Sequence, residues 1–176
     1  NYKKIPSINT EERIDSREFW MFIGAVVFFL SAFFISAKTS VPVFNAMFNT
    51  KFAPPEDVEF SYNKVMVLVA FIIGLLTAIT QYFKYKRTPS KYIFKKIAIP
   101  TFIAAVITAA LAIFYPITYY AKGAGFLGAV YIALFASIYA VIANAAYIWS
   151  GLNGKLKASG ASISHFGFAL MLVGML

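Results

Sequence analysis

Apolar residues in this chain come in long runs, separated by short polar and mostly basic segments. About 20 mostly apolar residues is the length a helix needs to cross the hydrocarbon core of a bilayer. The pattern predicts five such helices, over residues 19–37, 65–83, 97–119, 126–149 and 161–176. The last is cut short after about 24 Å at 1.5 Å per residue, less than a full crossing. Residues 1–18 form a polar segment with no apolar signal stretch, and 38–64 form the longest connection. The expected fold class is all-α, a polytopic transmembrane helix bundle. The chain starts without Met and stops within an apolar run, so it is expected to be a piece of a longer polypeptide.

Composition sharpens that picture. The chain is 60% hydrophobic and 13% charged, against roughly 45–50% and about 25% in soluble domains. The net charge of +9 comes from basic residues at the ends of the apolar runs, where lipid headgroups lie, and not from a soluble face interleaved with aromatics. No nucleic-acid partner is expected; membrane lipid is. Twelve Lys and Arg residues fall in the N-terminal segment and the second and fourth loops, against four (Lys38, Lys51, Lys64 and Lys122) on the other side. The positive-inside rule then makes the N-terminus cytoplasmic and turns 38–64 outward. Cysteine is absent, which excludes thiolate chemistry and disulfides within the chain.

Within the spans, Gly24, Gly74, Gly128 and the alanine-rich face of 97–119 are expected to be close-packing points between helices. Trp20, Tyr82, Tyr85, Tyr119, Tyr120 and Trp149 are expected in an interfacial aromatic belt. Pro100 and Pro116 are expected near the two ends of the third span. Asn144 is expected to make an interhelical hydrogen bond, with a contact to His165 or a bound group as the alternative. Segment 38–64, with Pro42, Pro54-Pro55 and the acidic Glu56, Asp57 and Glu59, is expected to be a structured, membrane-apposed connection.

His165 is the chain's only histidine and lies in the apolar run of residues 161–176. An imidazole in a membrane helix is costly without a partner, which makes it a candidate functional residue. Neutral imidazole ligates haem iron, copper or zinc. Zinc needs about three more protein ligands, and none is near in the sequence. Carboxylates are absent from the spans, which argues against a proton relay. Haem needs only one axial ligand from this helix. A histidine satisfied by a backbone carbonyl or a serine remains open, as do a non-enzymatic membrane scaffold and a transporter fragment.

Five short segments in order form a pattern. Ser16-Arg17-Glu18 precedes a span that ends in Thr39-Ser40-Val41-Pro42. Phe60-Ser61-Tyr62-Asn63 precedes the next span, and Gln81-Tyr82-Phe83-Lys84-Tyr85-Lys86-Arg87 follows it. Ser162-Ile163-Ser164-His165-Phe166-Gly167-Phe168-Ala169 opens the last. This order resembles the CcmF-type haem lyase family of cytochrome c maturation, with its S-R-E segment, G-T-x-x-P-like turn, outward P-Y-F-N element, aromatic-basic stop and A-H-x-G-x-A element. The chain departs from the family in having Thr39-Ser40 where a glycine-threonine is common, and in an outward element that lacks its usual glycine and places Ser61 before Tyr62. The Trp-rich haem-handling signature and the other histidines lie upstream in the family and are not in this chain.

The resemblance implies a bacterial inner-membrane subunit of a holocytochrome c synthetase. It would bind haem b with His165 as an axial iron ligand, and the second ligand would come from another helix. Implied partners are a haem-delivering chaperone, apocytochrome c and thiol-handling maturation subunits on the outer side, with quinol as a candidate electron source.

Overall fold

The computed structural model describes residues 13–118 and 122–176. They form six α-helices and no strand among the described residues: α1 (Arg17–Thr39), α2 (Val41–Phe48), α3 (Val58–Ile79), α4 (Ser90–Phe114), α5 (Ala124–Ser150) and α6 (Gly160–Met175). Four are long and apolar enough to cross a membrane: α1, α3 with its 3₁₀ extension to Tyr82, α4 and α5. The apolar α6 has 16 residues, short of a crossing length.

Side-chain caps start α1 and α3, and most helices run past the apolar window. The Ser16 side chain accepts from the Phe19 N–H at 3.2 Å, starting α1 ahead of its apolar stretch. Asp57 does the same for α3, accepting from the Phe60 N–H at 2.8 Å, so α3 starts seven residues before position 65. Much of 38–64 is therefore helical. Pro42 sits in the first turn of α2, and Asn49 ends that helix with a left-handed φ of 52°. The connection to α3 is held by Asn45, whose amide bonds Phe52 O at 2.9 Å, Phe52 N at 3.0 Å and the Thr50 hydroxyl at 2.8 Å.

The third span differs most from expectation. Helix α4 starts at Ser90, so the buried Pro100 lies inside it and not near its start. Hydropathy marks only the stretch that meets lipid tails. The helix continues into the interface, where Lys91, Lys95 and Lys96 can keep their charges in water. Helix α4 stops at Phe114, since the residue before Pro116 is disfavoured in helical conformation. The expected end at Tyr119 lies outside the described residues.

Helix α5 is the centre of the bundle, packing against α3, α6 and α4. Its inward face is small: Ala133, Ala136, Ser137, Ala140 and Ala143 are all fully buried. A Cβ on Gly74 of α3 would come within 3.0 Å of the Ala136 backbone, so the two helices touch where neither has bulk. The alanine-rich α4 does not do this; only Pro100 and Ala104 of that helix are buried. Gly24 has one ordinary contact at 3.9 Å and Gly128 has none within 4 Å, so of the three glycines expected at close packing only Gly74 fills that role.

The helices alternate in direction. The start of α1 meets the end of α3 through Arg17, the start of α4 meets the end of α5 through Lys96 and Ser150 O at 3.1 Å, and the start of α6 meets α3 through Ser162 and Gln81. Lys84 to Lys96, Lys155 and Lys157 thus share one end, here called the basic end. At the opposite end Phe60 packs edge-on against Phe126, with ring centres 4.9 Å apart, and Lys122 pairs with Asp57.

Candidate functional site

Three of the five segments singled out in the sequence converge at the basic end. Arg17 begins α1 and reaches across to the end of α3. Its Nε donates to Phe83 O at 3.0 Å and its Nη2 to Gln81 O at 3.1 Å, while its backbone N–H donates to Lys84 O at 3.0 Å. A cation against the last carbonyls of a helix is favourably placed. The Gln81 side chain takes up α6: the Ser162 hydroxyl donates to Gln81 Oε1 at 3.1 Å. Tyr82 anchors the same turn to α5, donating to Ala143 O at 2.8 Å and meeting the Tyr147 ring edge-on at 5.1 Å. Gln81 and its neighbours therefore join α1, α5 and α6.

This knot closes one end of a cleft of about 660 Å³. Helix α1 forms one wall with Arg17, Trp20 and Gly24, and α6 forms the other with Ala161, Ser162 and His165, over the α3 floor. Ligand pockets commonly measure about 300–1,000 Å³. His165 lies three residues beyond Ser162, one helical turn deeper on the same face of α6. It is half-buried and its imidazole makes no hydrogen bond to any described residue. The reading in which a carbonyl or serine satisfies it is not what the structure shows.

The neighbours expected on the His165 face divide between two environments. Ala169 is fully buried in the core against α5. Phe168 and Leu172 face a second cavity of about 250 Å³ toward the opposite end. Phe28 and Ile73 line both cavities, so the two abut. Among the described residues no group of three or more His, Cys, Asp or Glu side chains gathers to hold a metal ion, so a multi-ligand zinc site is not formed.

Other expectations resolve into structure. Asn144 is fully buried and its amide donates to Thr77 O at 3.1 Å and Ala140 O at 2.8 Å. That is the expected interhelical hydrogen bond, and Asn144 makes none to His165. Its Oδ1 is left without a partner. Tyr82 is 2% exposed and is a core residue, not part of an aromatic belt. Trp149 is 69% exposed, as a belt residue would be. Tyr119 and Tyr120 lie outside the described residues. At the far end, Thr39 and Tyr62 approach within 3.3 Å and Lys38 lies 4.5 Å over the Tyr62 ring, so the second and third sequence segments also meet.

Sequence reasoning missed Arg17 and Gln81 as residues of the cleft. The bonds of Arg17 go to backbone carbonyls, which leave no mark in the sequence. The Ser-Arg-Glu segment was the available signal.

Fold and site together define a multi-pass, all-α membrane protein with a cleft at the basic end of its helix bundle. No family model matches the chain, and no curated protein or solved structure is significantly similar to it.

Proposed function

We propose that this protein is a membrane subunit of the cytochrome c maturation machinery and binds haem b in the cleft, with His165 as an axial ligand of the iron. The observation that carries the reading is the His165 imidazole itself: half-buried, unpartnered and opening on a cleft of about 660 Å³. An imidazole kept in an apolar helix without a hydrogen bond is costly unless a ligand takes it up. The residues fit a haem. His165 supplies the ligating nitrogen, Ala161 and Gly24 leave room on the two walls, and Trp20 and Phe28 supply aromatic and apolar surface. Haem b would supply one-electron redox chemistry there. The chain's part is ligation, exclusion of water and a low-dielectric setting for the iron.

The reading extends to the rest of the resemblance. The protein would sit in a bacterial inner membrane with its basic end in the cytoplasm. It would receive haem from a chaperone and act with thiol-handling subunits on apocytochrome c at the outer side, with quinol supplying electrons. Convergence of the Ser16–Glu18, Gln81–Arg87 and Ser162–Ala169 segments on one cleft supports this.

The test is the reduced-minus-oxidised visible spectrum of the purified protein beside that of His165→Ala. Sharp b-type bands are expected in the wild type and are lost or shifted in the variant. A folded protein that is colourless in both forms would overturn the haem assignment and leave a membrane scaffold as the reading.

A further inference from the structure

Arg17 brings a positive charge to the cleft and forms no ion pair among the described residues. The ion pairs among the described residues are Arg13–Asp15 and Lys122–Asp57. Arg17 is instead held by two carbonyl oxygens, Phe83 O at 3.0 Å and Gln81 O at 3.1 Å. A guanidinium carries five N–H donors in a rigid fork. Three are left over, on a half-buried side chain that lines the cleft. The carbonyl bonds fix the plane of the fork, so little further entropy is lost when it binds a flat anionic group. A carboxylate is the natural complement, through paired charge-assisted hydrogen bonds.

Arg17 and the His165 helix are linked through Gln81. Gln81 accepts from Arg17 through its backbone oxygen and from Ser162 through its side chain, the latter at 3.1 Å. His165 follows Ser162 by one turn, about 4.5 Å of rise. The cleft thus offers an iron-binding nitrogen on α6, one turn beyond Ser162, and a carboxylate-binding fork on α1, both among its lining residues. A ligand matching both is flat and apolar, carries a metal at its centre and has acidic groups on one edge. Resting on the haem reading above, we infer that Arg17 is the carboxylate receptor of the cleft, binding the propionate edge of the haem and turning that edge toward the basic end.

The experiment is a spectroscopic binding titration of the purified, haem-depleted protein with haem and with haem dimethyl ester, whose acidic groups are masked. Wild type is expected to bind haem about tenfold more tightly than the ester, the scale of one hydrogen bond to a charged group. Arg17→Gln removes that preference by weakening haem binding about tenfold while leaving the ester unchanged. Arg17→Lys, which keeps the charge, retains part of the preference. An equal loss for haem and ester in Arg17→Gln would mark a purely structural role at the α3 end and overturn the inference. So would equal affinity for the two ligands in wild type, a measurement that needs no folded variant. A different failure identifies itself: if wild type takes up no haem with a b-type spectrum, or His165→Ala binds it equally well, the haem reading falls and this inference falls with it.

Discussion

At the scale of single residues, the contact between Gly74 and the Ala136 backbone makes a sharp prediction. A Cβ there would lie 3.0 Å from a main-chain carbon and 3.1 Å from its oxygen, and helix backbone cannot swing aside as a side chain can. Gly74→Val is therefore expected to destabilise the bundle by about 1–3 kcal/mol through overpacking. Gly128→Val, with nothing within 4 Å, serves as the control and should leave stability nearly unchanged. Denaturant or thermal unfolding in detergent compares the two, and equal effects would contradict the α3–α5 packing. The two glycines look alike in the sequence, because a single helix does not reveal which of its faces meets a neighbour. His165 stands out in the sequence for the opposite reason: a lone imidazole in an apolar run is anomalous whatever it packs against. Asn144 was legible as a polar group needing a partner, but that its amide would be taken by Thr77 O required the neighbouring helix.

At the scale of elements, the ends of the helices were harder to read than their middles. Hydropathy finds the lipid-facing stretch, whereas in α1 and α3 a capping side chain marks where the helix starts. Asp57 shows the difference. Its carboxyl is held below the ordinary value of 3.8, first by the hydrogen bond from Lys122 and then by the Phe60 N–H. A carboxyl depressed in the folded state contributes stability above its ordinary pKa and loses it as pH falls through the folded value. The tie between the start of α3 and the segment before α5 is thus expected to hold at neutral pH and to loosen below about pH 4. Both partners are exposed, so the change is local and not a global unfolding. Amide exchange at Phe60 and Ser61, expressed as protection relative to the intrinsic rate at each pH, is the measurement: protection should fall on acidification in wild type and be lower at neutral pH in Asp57→Asn. Protection that is the same across pH and between the two proteins would show that the cap and ion pair do not order this end.

At the scale of the whole molecule, the bundle was legible in the lengths of the apolar runs, and its two ends in the placement of lysine and arginine. The arrangement inside was not. The alanines of α4 look as suited to close packing as those of α5, yet α5 is central and half of its apolar window is buried, against 11% for α4. That choice is made by pairing across the bundle, through Gly74, Tyr82 and Gln81, and no one helix encodes it. The orientation of the ends also decides from which side the His165 cleft is reached. Because the chain has no cysteine, single introduced thiols report it without background. Ala53→Cys lies on the exposed connection before α3, and Leu156→Cys, at a position 66% exposed, lies in the basic loop before α6. With the basic end in the cytoplasm, a membrane-impermeant maleimide should label Ala53→Cys on intact spheroplasts and Leu156→Cys only after the membrane is opened. The reverse pattern would invert the bundle and turn the Arg17 end of the cleft away from cytoplasmic haem. Delivery from the cytoplasmic side, on which the proposed function depends, would then fail even if His165 still ligated iron.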